Sequence, residues 1–191
     1  KLLVAASTHQ GEEAIILSVY KAVLADFPRL RLLIAPRHPE RAKDIEKFAL
    51  EQGCGCRFIS SLASHPLRTD NNMILILDTI GELVNFYQIS NIVFVGGSFV
   101  KKGGHNIIEP ASCAKPVIFG PYMFNFRDIA ELFIANDAAI KVRKKDELYA
   151  AIKELLMDNV QADSLGRKAR SLVEQNQKAT QRNIEILKEI I

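Results

Sequence analysis

The residues whose types and spacing are best suited to chemistry lie between positions 94 and 110, where two glycine pairs flank a short basic loop. An apolar run ends at Gly96 and Gly97, and a second pair, Gly103 and Gly104, precedes Asn106. Glycines let main-chain N–H groups come close to a ligand, and the first turn of a helix presents unpaired N–H groups with a partial positive charge. The pattern of strand, glycine turn and helix start therefore predicts a phosphate site.

Asn106 and Glu109 stand three positions apart, so they share one face if the segment is helical. A carboxylate at a helix start is well placed to accept hydrogen bonds from paired sugar hydroxyls, and we predict that Glu109 binds a ribose. Asn and Glu are also ordinary capping residues near a helix start. A purely structural role for both residues stays open.

Another polar segment, Pro36-Arg37-His38-Pro39-Glu40-Arg41, follows an apolar run. Arg37 offers a fork of N–H donors that suits a phosphate. Pro36 and Pro39 restrict the backbone of this loop, which lowers the conformational cost of binding. The alternative is a solvated turn with basic residues.

Two more loops follow predicted strands. In residues 78–83 the backbone N–H groups of Ile80, Gly81 and Glu82 can hold a base or a phosphate, although a simple helix cap explains the same residues equally well. Residues 7–13 either begin a helix or form a loop that places His9 and Glu12 near a substrate.

The elements that position these loops are roughly six apolar strands alternating with amphipathic helices. This order predicts an α/β fold with a Rossmann-like, doubly wound, mostly parallel sheet, whose ligands bind beyond the carboxyl ends of the strands. A G-x-G-x-x-G fingerprint after the first strand and a G-x-x-x-x-G-K-[ST] loop are both missing from the sequence. Nicotinamide, flavin and ATPase functions are therefore not expected. The strands are predicted at residues 2–6, 30–35, 56–60, 73–77, 91–95, 116–119 and 138–142.

Length and composition favour one ordinary domain over residues 1–191. The 25 basic and 22 acidic residues give a net charge of +3, too balanced to predict a nucleic-acid partner. The three cysteines do not form a disulfide framework or a zinc motif and are expected to be free thiols in a reducing compartment. No run approaches the roughly 20 apolar residues of a membrane span. The abrupt start in a strand-like segment suggests that another domain precedes it.

Taken together, the segments 7–13, 36–41, 78–83 and 96–110, followed by Gly120-Pro121 and Asn125-Phe126, resemble the C-terminal half of the Kdo transferases. These are GT-B glycosyltransferases that move 3-deoxy-D-manno-octulosonic acid (Kdo) from CMP-Kdo to the lipid A precursor of lipopolysaccharide. The resemblance implies a C-terminal donor domain of GT-B type. It departs from the family pattern at Ile80, where methionine is expected, a change that keeps a backbone contact.

The resemblance also assigns roles. Pro36 and Arg37 would meet the phosphate region of CMP, residues 80–82 would line the nucleotide, and residues 106–109 would close on phosphate and ribose. The predicted donor site comprises Pro36, Arg37, Ile80, Gly81, Glu82, Gly97, Ser98, Gly104, Asn106, Ile107, Ile108 and Glu109.

Further expectations concern the rest of the enzyme. The family's catalytic base lies in the N-terminal domain, so this chain should bind donor without turning it over, and the last helices, about 161–191, should pack toward that domain. No metal is expected, and no Asp-x-Asp motif occurs. The full enzyme would act at the cytoplasmic face of the bacterial inner membrane. A UDP-sugar transferase or epimerase and a non-catalytic nucleotide-binding module are the alternatives.

Overall fold

The computed structural model describes residues 1–62 and 73–190, the last thirteen of these, 178–190, by their backbone alone. Within this part, seven strands form one sheet. They are β1 (Leu2–Thr8), β2 (Arg31–Pro36), β3 (Gly55–Phe58), β4 (Met73–Ile76), β5 (Ile92–Val95), β6 (Val117–Phe119) and β7 (Ile140–Lys141).

The helices alternate with these strands along the chain. They are α1 (Glu12–Leu24), α2 (Ala42–Glu51), α3 (Leu83–Ile89), α4 (Ile108–Ser112), α5 (Arg127–Ala135), α6 (Lys145–Met157) and α7 (Asn159–Ile190). Short 3-10 turns precede α2 and α5, at Pro39–Arg41 and Phe124–Phe126, and another follows β3 at Ile59–Ser61.

The strands lie in the order β3-β4-β2-β1-β5-β6-β7, and every neighbouring pair is parallel. The prediction of an α/β, Rossmann-like, doubly wound, mostly parallel sheet is confirmed, and each of the seven described strands overlaps one of the predicted segments. The order reverses between β1 and β5, because the chain first adds strands on one side of β1 and then returns to its other side. In such sheets the crevice at this reversal is the usual ligand site.

The sheet is buried on both faces, which explains why its strands are apolar without alternation. Leu3 and Ala5 of β1 pack on one face with Tyr20 of α1. Val4 and Ala6 pack on the other face, where α4 and α7 also contribute to the core. The central strands are thus packed on both faces, which fixes where the loops at their carboxyl ends begin.

The C-terminal segment is a single helix, α7, where more than one had been expected. Its residues Ala169, Leu172 and Val173 are buried in the same cluster as Val117 of β6. This half of α7 therefore covers the domain's own sheet, because its apolar stripe faces β6 and α4. The prediction that residues 161–191 also contact another domain stays a prediction. In the described part of the chain, no helix has the length and apolar character needed to cross a bilayer.

Candidate functional site

The predicted site segments meet at the carboxyl edge of four adjacent strands. Arg37 follows β2, Ile80 follows β4 by a few residues, and the glycine loop, defined here as residues 96–104, follows β5. The loop 7–11 follows β1, which lies between β2 and β5. The sheet therefore brings together segments that are up to about 100 residues apart in sequence, as its doubly wound topology predicts.

The glycine loop approaches the loop after β1 so closely that its first glycine has no room for a side chain. A Cβ on Gly96 would stand 2.6 Å from the carbonyl oxygen of Ser7 and 2.8 Å from the Cα of Thr8. Further on, the Gly104 N–H donates to the carbonyl of Gly97 at 2.9 Å and closes the loop on itself. The glycines are thus required for backbone packing, whether or not a ligand is present.

Ser98 ties the glycine loop to the next strand connection. Its side chain is buried, its hydroxyl donates to the carbonyl of Val95 at 2.5 Å, and the same oxygen accepts the N–H of Gly120 at 2.8 Å. Both hydrogen-bonding functions of the hydroxyl are therefore used inside the protein. The geometry gives Ser98 a structural role beneath the site.

A buried carboxylate holds the glycine loop against α1. Glu12, the first residue of α1, has no exposed surface. Its Oε2 accepts the N–H groups of Gly97 at 2.7 Å and His9 at 2.9 Å, and its Oε1 accepts those of Ser98 at 3.0 Å and Phe99 at 2.9 Å. Burial raises the pKa of Glu12, an effect that these backbone N–H donors oppose.

This contact corrects the predicted roles of three residues. The backbone N–H groups of Gly97 and Ser98 donate to Glu12 and are therefore not free for a phosphate. Glu12 in turn faces the protein interior, so the reading that placed its side chain near a substrate is wrong. The reason is physical, because a glycine turn leaves backbone donors unpaired and a buried acid satisfies them as well as a phosphate does.

The neighbouring acid, Glu13, holds a different loop. Its Oε1 accepts the Thr8 hydroxyl at 3.0 Å and Nη1 of Arg41 at 2.9 Å, and the Glu13 side chain is 6% exposed, which makes this ion pair largely buried. Arg41 belongs to the turn that leads into α2. The backbone N–H of Arg37 also donates to the Thr8 carbonyl at 3.0 Å. Glu13 and Thr8 therefore anchor the loop that carries Arg37.

Three histidines gather where these loops meet. The Nε2 atoms of His9 and His105 lie 2.8 Å apart, and their rings stack at 5.1 Å between centroids. The His38 ring stands edge-on to His9 at 6.0 Å. Burial, the neighbouring histidines and Arg37 lower the pKa of His105 to about 4. Burial and Lys102 are the main causes that lower the pKa of His9.

The predicted phosphate and ribose segment forms only one short helical turn. Helix α4 begins at Ile108, and the Asn106 side chain accepts the Ile108 N–H at 2.9 Å while donating to Glu109 at 3.1 Å. Asn106 thus makes the capping contact that the sequence left open. Ile107 is buried in the core, whereas the Glu109 carboxylate is exposed. Of these residues, Glu109 is the one presented to solvent.

The other predicted residues differ in accessibility. Arg37 is exposed and Pro36 beside it is buried. Ile80 is 87% exposed, an unusual state for an isoleucine in a loop at the carboxyl edge of a sheet. Glu82 is exposed as well, and its carboxylate accepts the Thr79 hydroxyl. Arg37, Ile80 and Glu109 are therefore the predicted side chains best placed to touch a ligand. Among the described residues, no group of three or more His, Cys, Asp or Glu is arranged to hold a metal ion.

The family model for the group 1 glycosyl transferases matches residues 57–172 of this sequence. The chain belongs to this family. The match runs from β3 to α7 and so includes the glycine loop and α4.

Several curated relatives of this glycosyl transferase chain are named 3-deoxy-D-manno-octulosonic acid transferase. The protein of Haemophilus influenzae is 38% identical over 97% of this chain and 43% of its own length. That of Aquifex aeolicus is 35% identical over 82% of this chain and 42% of its own length. The predicted resemblance to the Kdo transferases is confirmed. The chain spans less than half the length of these relatives.

Solved structures agree with this placement. The C-terminal CMP-Kdo binding domain of WaaA from Acinetobacter baumannii superposes with a TM-score of 0.81 at 27% identity, covering 91% of this chain and 89% of that one. The prediction of a fold like the C-terminal domain of a GT-B enzyme is thus confirmed. The UDP complex of MnaA from S. aureus, with a TM-score of 0.58 and 14% identity over 97% of this chain and 46% of that one, shares the fold alone.

Sequence reasoning missed three features of this candidate site: the Glu12 contact with the glycine loop, the Glu13–Arg41 pair and the His9–His105 pair. Two adjacent acids at a helix start give no sign that one bonds a loop 85 residues away. His105 directly follows a glycine pair, and a histidine at that position in a predicted site was the available signal.

Proposed function

We propose that this chain is the donor-binding domain of a Kdo transferase and that it binds CMP-Kdo at the carboxyl edge of β4, β2, β1 and β5. The observation that carries the proposal is the similarity to a domain described as CMP-Kdo binding, which extends over nine-tenths of both chains. The curated transferases that align with nearly the whole chain support it independently.

Specific residues would bind different parts of the nucleotide. Arg37 is exposed at the end of β2 and would pair with the phosphate through its guanidinium. Glu109 is exposed at the start of α4 and would accept the ribose hydroxyls. The exposed loop at residues 80–82 would line the cytosine with its backbone, and the open face of Ile80 supports this role.

The remaining steps of the reaction belong to the larger enzyme. The acceptor would be the lipid A precursor, bound at the cytoplasmic face of the inner membrane by a domain that also supplies the general base. The domain in hand would contribute Arg37 to stabilise the CMP phosphate as the glycosidic bond breaks, without a metal. Packing of the C-terminal segment against that second domain belongs to the same proposal.

The test is a calorimetric titration of the 191-residue chain with CMP, UMP and UDP. We expect weak binding of CMP in preference to both uridine nucleotides. The variants Arg37→Ala and Glu109→Ala should each lower CMP affinity about tenfold or more, since each removes a charged side chain that would hydrogen-bond to the ligand.

Matched controls lie at the opposite edge of the sheet. Arg29→Ala and Glu51→Ala remove the same two residue types from exposed positions near the amino ends of β2 and β3, and both should bind CMP like the unaltered chain. A preference for UDP would assign the chain to a UDP-sugar enzyme. Equal losses in the control and site variants would contradict the proposed position of the nucleotide.

A further inference from the structure

The His9–His105 pair joins the loop after β1 to the segment after the glycine loop. Each imidazole is only partly buried, and the two Nε2 atoms lie at hydrogen-bonding distance, 2.8 Å. The His105 ring also packs on the glycine loop, its Cδ2 atom being 3.0 Å from the position that a Cβ on Gly97 would occupy. The pair therefore lies at the reversal point of the sheet, next to the backbone N–H groups that Glu12 accepts.

The hydrogen bond between the two Nε2 atoms limits the protonation of the pair. One Nε2 must carry hydrogen and donate, and the other must present its lone pair, so the accepting ring cannot also hold a proton there. Placing N–H groups on both Nε2 atoms would set two donors against each other at 2.8 Å. A doubly donating pair is stable only if an acceptor with negative charge lies between or beside the two rings.

The surroundings of the pair are cationic. The charged or titratable groups that face it come from the loop after β1, the segment between β2 and α2, and the glycine loop. The groups that face the pair are Glu12, Glu13, Arg37, His38, Arg41 and Lys102. Both acids in this set are already engaged, because Glu13 is bonded to Arg41 and Glu12 is bonded to backbone N–H groups. The positive charges favour the neutral form of both rings and would equally favour a bound anion.

We propose that the His9–His105 pair is an oxyanion subsite of the donor cleft, in which the pair takes up one proton and donates an N–H from each ring to an anionic group of the donor. This rests on the proposed function, since that function supplies the ligand. The oxyanion is the nucleotide phosphate or the carboxylate of the sugar acid, which present the same chemistry to the two rings. The added proton comes from solvent and remains on the pair while the ligand is bound.

Binding of an oxyanion to the pair is linked to pH. In the free chain the pair is neutral at pH 7, because the pKa values of both rings are lowered. Binding of an oxyanion raises those pKa values, so affinity must increase as pH falls, by up to about tenfold per pH unit for each proton taken up. A site built only from Arg37 would lose affinity for CMP as pH falls, because the phosphate dianion, with a second pKa of about 6, is protonated while the guanidinium stays charged.

The first experiment needs no variant. The ring ¹⁵N shifts of His9 and His105 are followed by NMR as a function of pH, alone and with saturating CMP, with cytidine, and with 3-deoxy-D-manno-octulosonic acid. We expect the pKa values of both rings to rise by about 1 unit or more with the ligand that carries the bound oxyanion, and to stay unchanged with cytidine. A response to CMP identifies the phosphate, and a response to the sugar acid alone identifies the carboxylate.

The second experiment compares variants by calorimetry in buffers of different ionisation enthalpy, which gives the number of protons taken up. His9→Gln and His105→Gln keep an amide near the Nε2 position but cannot be protonated. With the ligand that shifts the ring pKa values in the first experiment, CMP or the sugar acid, we expect each variant to abolish the proton uptake at pH 7 and to weaken binding at pH 6 by about tenfold. Lys21→Gln removes an exposed cation from the last turn of α1, away from the carboxyl edge of the sheet, and should leave both quantities unchanged.

The outcomes separate this inference from the function on which it rests. If CMP binds and depends on Arg37 while neither histidine changes its pKa with any of the ligands, the oxyanion subsite is wrong and the proposed function stands. If the histidine variants take up as many protons as the unaltered chain, the subsite is also wrong. If CMP does not bind at all, both are overturned.

Discussion

Replacing Glu12 by Gln isolates the contact that shapes the glycine loop. The carboxylate uses both oxygens, each of which accepts two backbone N–H groups. A glutamine of the same shape keeps one oxygen but places an NH₂ group where the other oxygen stood. Two buried backbone N–H groups then face the NH₂ group of the glutamine, which is also a donor. The loop backbone cannot flip its peptide groups to avoid this contact.

The magnitude follows from the number of hydrogen bonds lost. Each buried N–H left without an acceptor costs about 1–3 kcal/mol, so two give about 2–6 kcal/mol. Removing the charge also ends the desolvation of a buried carboxylate, the effect that raises the pKa of Glu12, and this offsets part of the loss. We therefore expect Glu12→Gln to lower the free energy of unfolding by about 2–4 kcal/mol.

The assay is equilibrium unfolding in urea at pH 7, with Glu13→Gln as the matched control. Glu13 is the adjacent residue, is also buried, and accepts from Arg41 and Thr8 through one oxygen, Oε1. Glutamine can keep that oxygen in place, and the partners are side chains that can adjust. The Arg41 side chain is 21% exposed, so its charge can be solvated when the carboxylate becomes an amide, and the control should lose about 1–2 kcal/mol.

Two results would refute this reasoning. If Glu12→Gln lowers the free energy of unfolding by no more than Glu13→Gln does, the backbone hydrogen bonds of Glu12 stabilise the fold no more than the side-chain contacts of Glu13. If Glu12→Gln is severe but the amide protons of Gly97, Ser98 and Phe99 keep their native chemical shifts, the loss does not arise in the glycine loop. Hydrogen exchange of those amides gives the same information, because exposed donors exchange faster.

Further predictions concern the same loops. Gly96→Ala should cost about 1–3 kcal/mol in urea unfolding because its Cβ would overlap the backbone of Ser7. At Gly55 the described residues, the two chain neighbours aside, place no atom within 4 Å of an added Cβ, so Gly55→Ala should change stability by less than about 0.5 kcal/mol. Ser98→Ala should cost about 1–3 kcal/mol by leaving a buried N–H unpaired, seen as a lower melting temperature. Because the pKa of His105 falls from 6.5 to about 4 on folding, the unfolded chain binds more protons, so stability should decrease as pH falls from 6.5 toward 4, and His105→Gln should reduce this slope.

The fold was predictable because burial on both faces makes parallel strands apolar along their whole length. Residues 92–95 are all buried, and the sequence predicted a strand at 91–95. The same signal overestimated β7, which pairs only through Ile140 and Lys141 although 138–142 was predicted. Ala138 and Ala139 are buried without strand pairing. Apolar composition reports burial, and pairing is decided by the neighbouring strand.

The convergence of the candidate-site loops was predictable for a related reason. Parallel strands all end at the same edge, so loops after β2, β4 and β5 had to lie together once the sheet was doubly wound. The precise partners were not predictable, since Arg37 and Glu109 are each consistent with a solvated turn or a cap on local grounds. Asn106 illustrates the limit, because it makes the capping bond and is also adjacent to the exposed Glu109.

The sequence correctly indicated that the backbone N–H groups of the glycine loop need acceptors, but it favoured a phosphate over a buried carboxylate as the acceptor. A glycine turn at the end of a buried strand leaves backbone N–H groups that need acceptors. A bound phosphate and a buried carboxylate both satisfy that need, and local sequence does not distinguish them. Because β1 and β5 are neighbours, the acid at the start of α1 reaches the turn, and Glu12 satisfies it without a ligand. The loop is therefore shaped before any ligand binds.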